Sequence, residues 1–473
     1  MKIKWLLYIF ISSLVIFSCR KEEYISSKSA NLRFSLDTVF FDTVFTTVGS
    51  TTKILKVYNP HSEWVKISDI YISGGDASNY RMAVDGEPGN HIRNVEIAPK
   101  DSMYVFVEVT VDPNNTNSPL VVQDSIIFNT NENEQNVKLV AWGQDVYIIR
   151  GQNLATQTWT GEKPYLIIDS VIVDHDNTLT IEAGATVYFH KQAVMLMRGS
   201  LLVEGELGSP VVFRGDRLDD AISGIPYDKL PEQWGGILFD SISVNNDIRY
   251  AVIKNGIIGL FVYYGASLNL ENTIIDNQAF AGIYALGAGI SAKNCLISNC
   301  GYYNIVLACG GLYEFLHCSI VNYYSFSFRQ TPAIAITNYI VQDDSSILAQ
   351  NLEMAYFGNC IVYGTNQDEV GLGELDDVVF NYYFNHCIVR YENRQKLEVD
   401  ESRFINVIFD EEPAFKSLEN YNYNFELDTL SVGKDAGLID ITNSGPVLQT
   451  DILGNSRLSD DGPDIGVYER IEE

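Results

Sequence analysis

Basic residues are scarce in this sequence. Its 473 residues include 32 Lys and Arg against 61 Asp and Glu, which gives a formal net charge of −29. A protein without a basic surface does not attract nucleic acid or anionic lipid headgroups, so both are disfavoured as partners. A polyanionic polysaccharide is also disfavoured unless calcium ions bridge the two surfaces. The charge suits a chain that stays soluble at a cell surface.

Helical periodicity and the common catalytic motifs are absent as well. No segment of ten or more residues combines a helical apolar repeat with capping residues at its ends. The sequence contains no glycine-rich phosphate loop, no nucleophile elbow and no zinc-binding spacing of Cys and His. Apart from residues 5–17, no apolar run approaches the ~18 residues of a membrane span, so the rest of the chain is predicted to lie outside the membrane.

A repeat of about 22 residues occupies the middle of the chain instead. Equivalent small residues recur in steps of 22, 22 and 23 at Ala251, Thr273, Cys295 and Cys318. Each is followed two residues later by an isoleucine and four residues later by one of the asparagines Asn255, Asn277, Asn299 and Asn322. Short alternating apolar runs broken by Gly and Asn indicate strands and turns. A fixed period of this length is typical of a solenoid.

The repeat predicts coils of three short strands stacked ~4.8 Å apart. Ile253, Ile275, Ile297 and Ile320 would then form an inward file, and the four asparagines would form a structural ladder at bends. Asparagine tolerates left-handed backbone, and its amide can bond the asparagine of the next coil. Six cysteines lie between 295 and 387, and four of them share the small-residue position. Because side chains in adjacent coils run parallel, we predict a stack of free thiols rather than disulfides.

These segments resemble the right-handed parallel β-helix superfamily, the scaffold of pectate lyases and many surface proteins. The resemblance extends upstream to residues 179–187 and 199–205, extends downstream to residues 464–469, and covers roughly residues 150–470. It implies an all-β fold with a right-handed parallel β-helix over residues 148–410 and a C-terminal coil and cap over 411–473. The resemblance is specific for fold and not for activity.

Residues 31–147 show a different pattern. Alternating runs at 52–58 and 103–109 are separated by turn signals such as Asn59-Pro60 and Asp112-Pro113, which predicts a β-sandwich of short strands. The segment resembles bacterial immunoglobulin-like domains. It contains no Cys, so the inter-sheet disulfide of antibody domains is excluded. Such modules space, dock or bind, and no residue of this segment indicates catalysis.

The first thirty residues indicate export. Lys2 and Lys4 precede an apolar run, and the run ends in Ser18-Cys19, which resembles a bacterial lipobox. The resemblance implies a signal peptide over residues 1–18, a lipid on Cys19 and a tether over 19–30. Residues 20–23 resemble a surface-export signal of some Gram-negative lipoproteins. We therefore predict a lipoprotein of the outer membrane that faces outward; the alternatives are an ordinary secretory signal and a solvated tether.

The ladder also predicts a polar file on the outside of the β-helix. Strand alternation turns outward the residue that precedes each small inward residue, and in five coils that residue is Asn272, Asn294, His317, Asn359 or His386. In the superfamily that the chain resembles, such a face binds polysaccharide, so we predict these five residues as ligand-binding. The alternative is an ordinary outer stripe without a ligand.

No catalytic residue or metal ligand is assigned. A lyase needs a basic residue and a calcium cluster, and a glycoside hydrolase needs two carboxylates. Between residues 250 and 340 the core coils offer Asp276, Glu271, Lys254 and Lys293 without an acidic cluster, while loops offer the adjacent acids Asp219, Asp220, Asp343 and Asp344. The closing residues 460–464 could hold calcium or form a turn. Tyrosine doublets such as Tyr323-Tyr324 could stack on sugars or on each other.

The sequence therefore predicts a non-catalytic scaffold that binds a glycan or another cell-surface partner. A polysaccharide lyase or a glycoside hydrolase acting on an extracellular polysaccharide is the alternative. Calcium is the only cofactor that the sequence leaves open.

Overall fold

The computed structural model describes residues 23–28, 30–113, 120–221, 224–393 and 402–471. The chain is all-β, with 52% strand and 3% helix. It divides into two compact units, Met1–Asp145 and Val146–Glu473. Within the described ranges, no helix has the length and apolar character needed to cross a membrane. The predicted signal peptide and Cys19 lie outside the described residues.

The first unit consists of two five-stranded sheets that enclose one apolar core. Alternation places Leu55, Val57, Val105 and Val107 fully inside. The first sheet has the order β1-β3-β8-β5-β6 and the second β2-β10-β9-β4-β7, with β2 and β10 parallel and the other pairs antiparallel. The strands are β1 (Arg33–Phe34), β2 (Thr38–Phe45), β3 (Lys53–Tyr58), β4 (Val65–Ile72), β5 (Tyr80–Val84), β6 (Glu87–Pro88), β7 (His91–Ile97), β8 (Ser102–Val109), β9 (Leu120–Thr130) and β10 (Asn133–Gln144), with a 3-10 helix at Gly75–Ala77. The immunoglobulin-like assignment stays a prediction.

Part of the predicted tether is docked on this unit. The Ile25 N–H donates to the Trp64 carbonyl at 2.9 Å, and the Trp64 N–H donates to the Glu23 carbonyl at 2.9 Å. The Asn131 amide also donates to the Ile25 carbonyl at 2.7 Å. The prediction of a tether up to residue 30 is therefore wrong from Glu23 onward, because backbone pairing fixes the chain there.

The second unit is built of successive parallel coils, consistent with a β-helix. One side is a ten-stranded parallel sheet formed, in order, by β12 (Gln157–Trp159), β14 (Thr178–Glu182), β17 (Ser200–Glu204), β20 (Asn246–Arg249), β23 (Ser267–Glu271), β26 (Gly289–Lys293), β29 (Gly311–Leu316), β34 (Leu352–Gly358), β37 (Phe380–Asn385) and β39 (Phe404–Ile405).

An eighteen-stranded parallel sheet supplies the other two sides. Its strands are β11 (Tyr147–Leu154), β13 (Tyr165–Val173), β15 (Thr186–Phe189), β16 (Val194–Met197), β18 (Val211–Gly215), β19 (Gly236–Phe239), β21 (Ala251–Lys254), β22 (Ile258–Val262), β24 (Ile274–Asp276), β25 (Ala281–Leu286), β27 (Leu296–Ser298), β28 (Tyr303–Ala308), β30 (Ser319–Asn322), β31 (Ile334–Thr337), β35 (Ile361–Gly364), β36 (Val370–Gly373), β38 (Ile388–Val389) and β40 (Ile408–Phe409). Two antiparallel hairpins, β32 (Tyr339–Val341) with β33 (Ile347–Ala349) and β41 (Phe415–Ser417) with β42 (Asn424–Leu427), lie outside this sheet. Short helices occur at Tyr227–Lys229, Ile439–Thr442 and Pro446–Gln449.

The predicted core register is confirmed. The four isoleucines of the inward file are in lateral register and have no exposed surface. The cysteine position continues as a buried file in which the Cys318 N–H lies 3.4 Å from Cys360 Sγ and the Cys360 N–H lies 3.4 Å from Cys387 Sγ. All six described cysteines are free thiols, as predicted.

The predicted bend is found at three of the four ladder positions, but the amides of these three asparagines bond backbone carbonyls or Asp276 rather than the asparagine of the next coil. Asn255, Asn277 and Asn299 have φ values of 66°, 56° and 50°, in the left-handed region that asparagine tolerates. Asn322 lies instead within strand β30 and donates to the Cys300 carbonyl at 2.9 Å. The prediction of a bend there is wrong, because the coil continues into an insertion over residues 323–333 rather than turning at once.

The C-terminal segment, residues 411–471, covers a flank of the β-helix. Its apolar residues Phe425, Ile465 and Val467 pack against outward residues of β27, β30, β35 and β38, including Leu296 and Ile361. The Val467 N–H donates to Ser319 Oγ at 3.1 Å. The predicted cap therefore lies along the side of several coils, where it buries outward apolar residues that the repeat alone would leave exposed.

Candidate functional site

A concave cleft lies between the C-terminal segment and the coils, with a volume of about 420 Å³. Its floor is formed by side chains of β21, β24 and β27, among them Lys254, Asp276 and Ser298. One wall is the turn that carries Asp228 and Lys229. The opposite wall is aromatic and contains Tyr324, Phe326, Tyr421, Tyr423 and Tyr468. We call this site the C-terminal cleft.

The asparagine ladder holds the turn that forms the polar wall. Asn255 donates its amide hydrogens to the carbonyls of Asp228 at 3.0 Å and Leu230 at 2.9 Å. Asn277, one coil further on, donates to the Lys229 carbonyl at 2.8 Å. The bends of two successive coils thus hold the backbone carbonyls of residues 228–230 and fix this wall in place.

Asp228 is an ionised carboxylate between two cations. Its Oδ1 lies 2.6 Å from Lys254 Nζ and 2.8 Å from Arg214 Nη1. Burial alone would raise the pKa of Asp228, but the hydrogen bond and charge of Lys254, together with Arg214 and Lys229, lower it below its ordinary value. The carboxylate keeps about a third of its surface exposed and faces the cleft.

Asp276 is a carboxyl group whose pKa is raised, whereas that of Asp228 is lowered. Ser298 Oγ donates to its Oδ1 at 2.6 Å, and the Asn299 amide donates to the same atom at 3.2 Å. Oδ2 makes no hydrogen bond with any described residue. Burial raises the pKa of Asp276, although both hydrogen bonds and the nearby Lys254 act against the shift. The second oxygen is therefore available to a bound molecule.

The aromatic wall is braced by contacts among its own members. The Tyr421 ring lies 5.4 Å from the Phe326 ring, and the Tyr423 ring stacks on Phe425 at 5.7 Å. Tyr423 Oη donates to the Tyr323 carbonyl at 2.8 Å. Burial raises the pKa of Tyr324 to about 12, so its hydroxyl stays a donor at neutral pH. Flat rings above a polar floor can stack on sugar rings while the floor binds hydroxyl groups.

The predicted outer polar file does not form an exposed surface. Asn272, Asn294, His317 and Asn359 are buried, with 5%, 0%, 0% and 0% of their surface exposed. All four have φ values between 49° and 52°, so they are bend residues rather than outward strand residues. The prediction that they contact a ligand at the surface is wrong, because all four are buried at bends and the C-terminal segment covers Asn294, His317 and Asn359.

These buried residues bind the C-terminal segment. Asn294 donates to the carbonyls of Val447 at 2.7 Å and Thr450 at 2.9 Å, and also to Asn272 Oδ1 at 3.2 Å. Asn359 donates to the Leu438 carbonyl at 3.1 Å and accepts the Leu438 N–H at 2.8 Å. The amide-to-amide bond between coils, predicted for the structural ladder, therefore occurs in this file.

The two histidines of the file have structural partners. The Asn359 amide lies 3.0 Å from His317 Nε2, and Thr442 Oγ1 lies 2.9 Å from the same nitrogen. Burial, with the nearby Arg457, holds the pKa of His317 well below its ordinary value, so the ring is neutral. His386 is only half-buried, and its ring contacts Asn385 and Asn406. Burial also lowers its pKa.

The loop carboxylates considered from sequence are engaged or exposed. Asp219 forms a two-point ion pair with Arg217 at 2.7 and 2.8 Å. Asp344 caps its own turn through Ser346. The cleft carboxylate Asp228 was missed, because it lies in the long 216–233 loop, 48 positions before Asp276, which lines the same cleft. Asp276 itself stands out in the sequence as the one acid at its repeat position.

A metal centre has no support in the part of the chain that the structure describes. There, no three His, Cys, Asp or Glu side chains gather closely enough to hold an ion. In the closing residues 460–464, Asp464 instead accepts the N–H groups of Asp435 at 2.8 Å and Arg470 at 2.7 Å. This acid fixes two backbone turns.

Neither a family model nor a curated protein matches this chain. Among solved structures, the chain is similar to XylC in complex with xylose, with 10% identity, 92% of this chain and 90% of that chain covered, and a TM-score of 0.34. It is similar to the catalytic unit of a GH87 α-1,3-glucanase from Streptomyces thermodiastaticus, with 9% identity, 71% and 73% covered, and a TM-score of 0.32. A family 123 glycoside hydrolase from Clostridium perfringens matches with 9% identity over 26% of this chain at a TM-score of 0.17, and the chain spans 30% of that protein's length. At these scores no activity is carried over to this chain.

Proposed function

We propose that this chain is an exported lipoprotein whose right-handed β-helix binds a neutral glycan in the C-terminal cleft. The observation that carries the proposal is the pairing of an aromatic wall with a polar floor in one concave site. Stacking on sugar faces and hydrogen bonding to hydroxyls are what a saccharide requires. The proposal keeps the predicted glycan partner and moves it from the outer file to the cleft.

The charge of the cleft favours neutral over acidic sugars. Its lining includes three carboxylates, Asp228, Asp276 and Glu426, against two ammonium groups, Lys229 and Lys254. The whole chain adds a net charge of −29, which repels polyanions at long range. Affinity should be modest, about 10 µM to 1 mM, because few groups are fully desolvated in an open cleft.

Location belongs to the same proposal. The lipobox-like residues 16–19 would place the chain on the outer membrane, and the export-like residues 20–23 would place it on the outer face. The immunoglobulin-like reading of the first unit fits a module that spaces the β-helix from the lipid. A cell-surface glycan would then meet the cleft directly.

A pair of phenylalanines in one loop gives a matched test. Phe326 lines the cleft, whereas Phe328, two residues away, is 88% exposed and lies outside it. We expect the full chain in detergent to retain neutral glycans on an array. Phe326→Ala should weaken the affinity about ten-fold, the effect of losing ~1.4 kcal/mol of stacking and packing. Phe328→Ala should bind normally; equal effects of the two variants, or no glycan bound by the full chain, would contradict the proposal.

An exposed aromatic row supports a second candidate, a protein partner at the cell surface. Tyr264 is 59% exposed and follows Tyr263, whose ring lies 4.4 Å from Phe261. Tyr302 is 53% exposed and lies 5.3 Å from Phe280, and Phe261 and Phe280 both stack on Tyr284. Exposed aromatic rows are enriched where proteins bind one another. Loss of cell-surface binding on Tyr264→Ala with Tyr302→Ala, and not on Phe326→Ala, would favour this candidate.

A further inference from the structure

Two carboxylates, Asp228 and Asp276, line the C-terminal cleft with Lys254 near both. Lys254 and Asp276 are directly paired positions on β21 and β24, which places their Cα atoms ~4.8 Å apart. The Lys254 ammonium in turn lies 2.6 Å from the Asp228 carboxylate. Lys254 thus has its Cα beside that of Asp276 and its ammonium on Asp228, so both acids lie within reach of one bound molecule. In glycoside hydrolases the two carboxyl groups are separated by ~5–9.5 Å.

The surroundings divide these acids into two roles. Asp228 is ionised by its two cations, and Asp276 is kept protonated further up the pH scale by burial. Two carboxyl groups whose pKa values are shifted in opposite directions supply a base and an acid at one site. The free Oδ2 of Asp276 gives the acid an atom with which to reach a ligand.

We propose that the C-terminal cleft hydrolyses a glycosidic bond of the glycan it binds, with Asp276 as the proton donor and Asp228 as the base. The proposal rests on glycan binding in this cleft, as proposed above. It names Asp276 and Asp228 as the catalytic pair of the glycoside hydrolase alternative. The aromatic wall of the cleft would then bind the substrate.

The reaction balances with water as the co-reactant. Asp276 donates its proton to the glycosidic oxygen as the bond from the anomeric carbon to that oxygen breaks, and the bonding electrons leave with the oxygen. A water molecule attacks the anomeric carbon while Asp228 accepts the water proton. Both chain ends then carry hydroxyl groups. Exchange with solvent returns a proton to Asp276 and removes one from Asp228.

Elimination would need a basic side chain on the cleft floor that is free to approach the sugar. The Nζ of Lys254 is instead held 2.6 Å from the Asp228 carboxylate, away from a sugar proton. In hydrolysis the same ammonium is useful, because it keeps Asp228 ionised and fixes its orientation. The chemistry of the cleft therefore favours hydrolysis over a lyase reaction.

The rate should show a bell-shaped pH dependence, with its acidic limb below and its alkaline limb above the ordinary pKa of an aspartate. The acidic limb reports protonation of Asp228 and the alkaline limb reports ionisation of Asp276. The titratable groups that face Asp276 from the floor, the turn and the C-terminal segment are Lys254, Lys229, Asp228, Cys300, Tyr423, Glu426 and Tyr468. The tyrosines and Cys300 stay neutral across this range, because burial raises the pKa of each.

The test uses the full chain in detergent with starch, xylan, mannan, laminarin and dextran as probes. Binding is measured by affinity electrophoresis, and product by new reducing ends, with absorbance at 235 nm recording any unsaturated product. We expect Asp276→Asn and Asp228→Asn to lose at least about a hundred-fold in reducing-end release. Asp276→Asn should still bind. Asp343→Asn, a change of a loop acid outside the cleft, should leave both measurements unchanged.

Each outcome separates hydrolysis from binding. A wild-type chain that binds a probe and releases no product overturns hydrolysis and leaves the proposed function standing. A chain that binds none of the probes overturns both proposals. Product release that survives Asp276→Asn, or product that absorbs at 235 nm, overturns the assigned mechanism. Should Asp228→Asn fail to fold, Asp276→Asn alone decides, since its hydrogen bonds from Ser298 and Asn299 can be kept by an amide oxygen.

Discussion

Asparagine has two roles at the bends of this β-helix. At one bend, Asn255 and Asn277 hold the turn beside the cleft through backbone carbonyls. At the other, Asn294 and Asn359 bind the C-terminal segment. The two roles share one cause: asparagine accepts a left-handed backbone and still presents a donor and an acceptor to a neighbouring loop.

Asn294→Ala should destabilise the protein. Alanine is strained at φ 52° and leaves the Val447 and Thr450 carbonyls without their donor, so a loss of about 3–4 kcal/mol in the free energy of unfolding is expected. Urea denaturation measures it. Asn269→Ala, an exposed asparagine in the middle of β23, is the control and should change little. An unchanged midpoint for Asn294→Ala would show that the C-terminal segment is not held here.

Asp276→Asn should stabilise the protein at neutral pH. Because the folded pKa lies above the unfolded value of ~3.9, the folded state binds more protons, and stability falls as pH rises from that value through the folded pKa. Asparagine removes that loss. Thermal unfolding should give a melting temperature a few degrees higher than wild type at pH 7 and equal to wild type at pH 3. A lower melting temperature at pH 7 would contradict the raised pKa.

The C-terminal segment packs on the flank of the β-helix and forms one side of the cleft. Its own anchor is a buried ion pair in which Arg457 Nη1 lies 3.0 Å from Glu469 Oε2, with side chains 0% and 1% exposed. Arg457 also donates to the carbonyls of Gly466 and Val467 at 3.0 Å. Tyr468, between these carbonyls and Glu469, is thereby held in the cleft wall.

Glu469→Ala should loosen this element. It leaves a buried guanidinium unpaired, which is expected to destabilise the protein by about 3–5 kcal/mol. The double variant Arg457→Met with Glu469→Leu should recover most of the loss, because neither charge then remains. Limited proteolysis of residues 411–471 alongside urea denaturation gives the readout. If the single variant is as resistant as wild type, the pair does not anchor the segment.

The repeat was sufficient to predict the coils but not what covers them. Ile253 and Ile275 recur at fixed spacing with their neighbours fixed by the same period, so their burial follows from local sequence. Asn294 follows the same period, yet its contacts come from Val447 and Thr450, more than 150 positions away. Side-chain alternation cannot reveal a segment that folds back from the end of the chain. The cleft was missed for the same reason.

At the scale of the whole molecule, the proposed function combines the net charge with a proposed lipid anchor. A net charge of −29 keeps the chain soluble and repels polyanions, which suits an open cleft for neutral glycan. Backbone pairing at Trp64 begins at Glu23, so a lipid on Cys19 would leave only a few residues between the membrane and the first unit.

Cys19→Ala should release the protein from the membrane or leave it unprocessed. Without the thiol no lipid can be attached, and the apolar run of residues 5–17 is too short to span a bilayer. Fractionation of cells with metabolic labelling by a radioactive fatty acid measures the outcome: wild type should be labelled and membrane-bound, and the variant unlabelled. Cys309→Ala, a buried cysteine outside the inward file, is the control and should stay labelled. A soluble wild-type protein with an unmodified N-terminus would show that the lipobox-like residues are incidental.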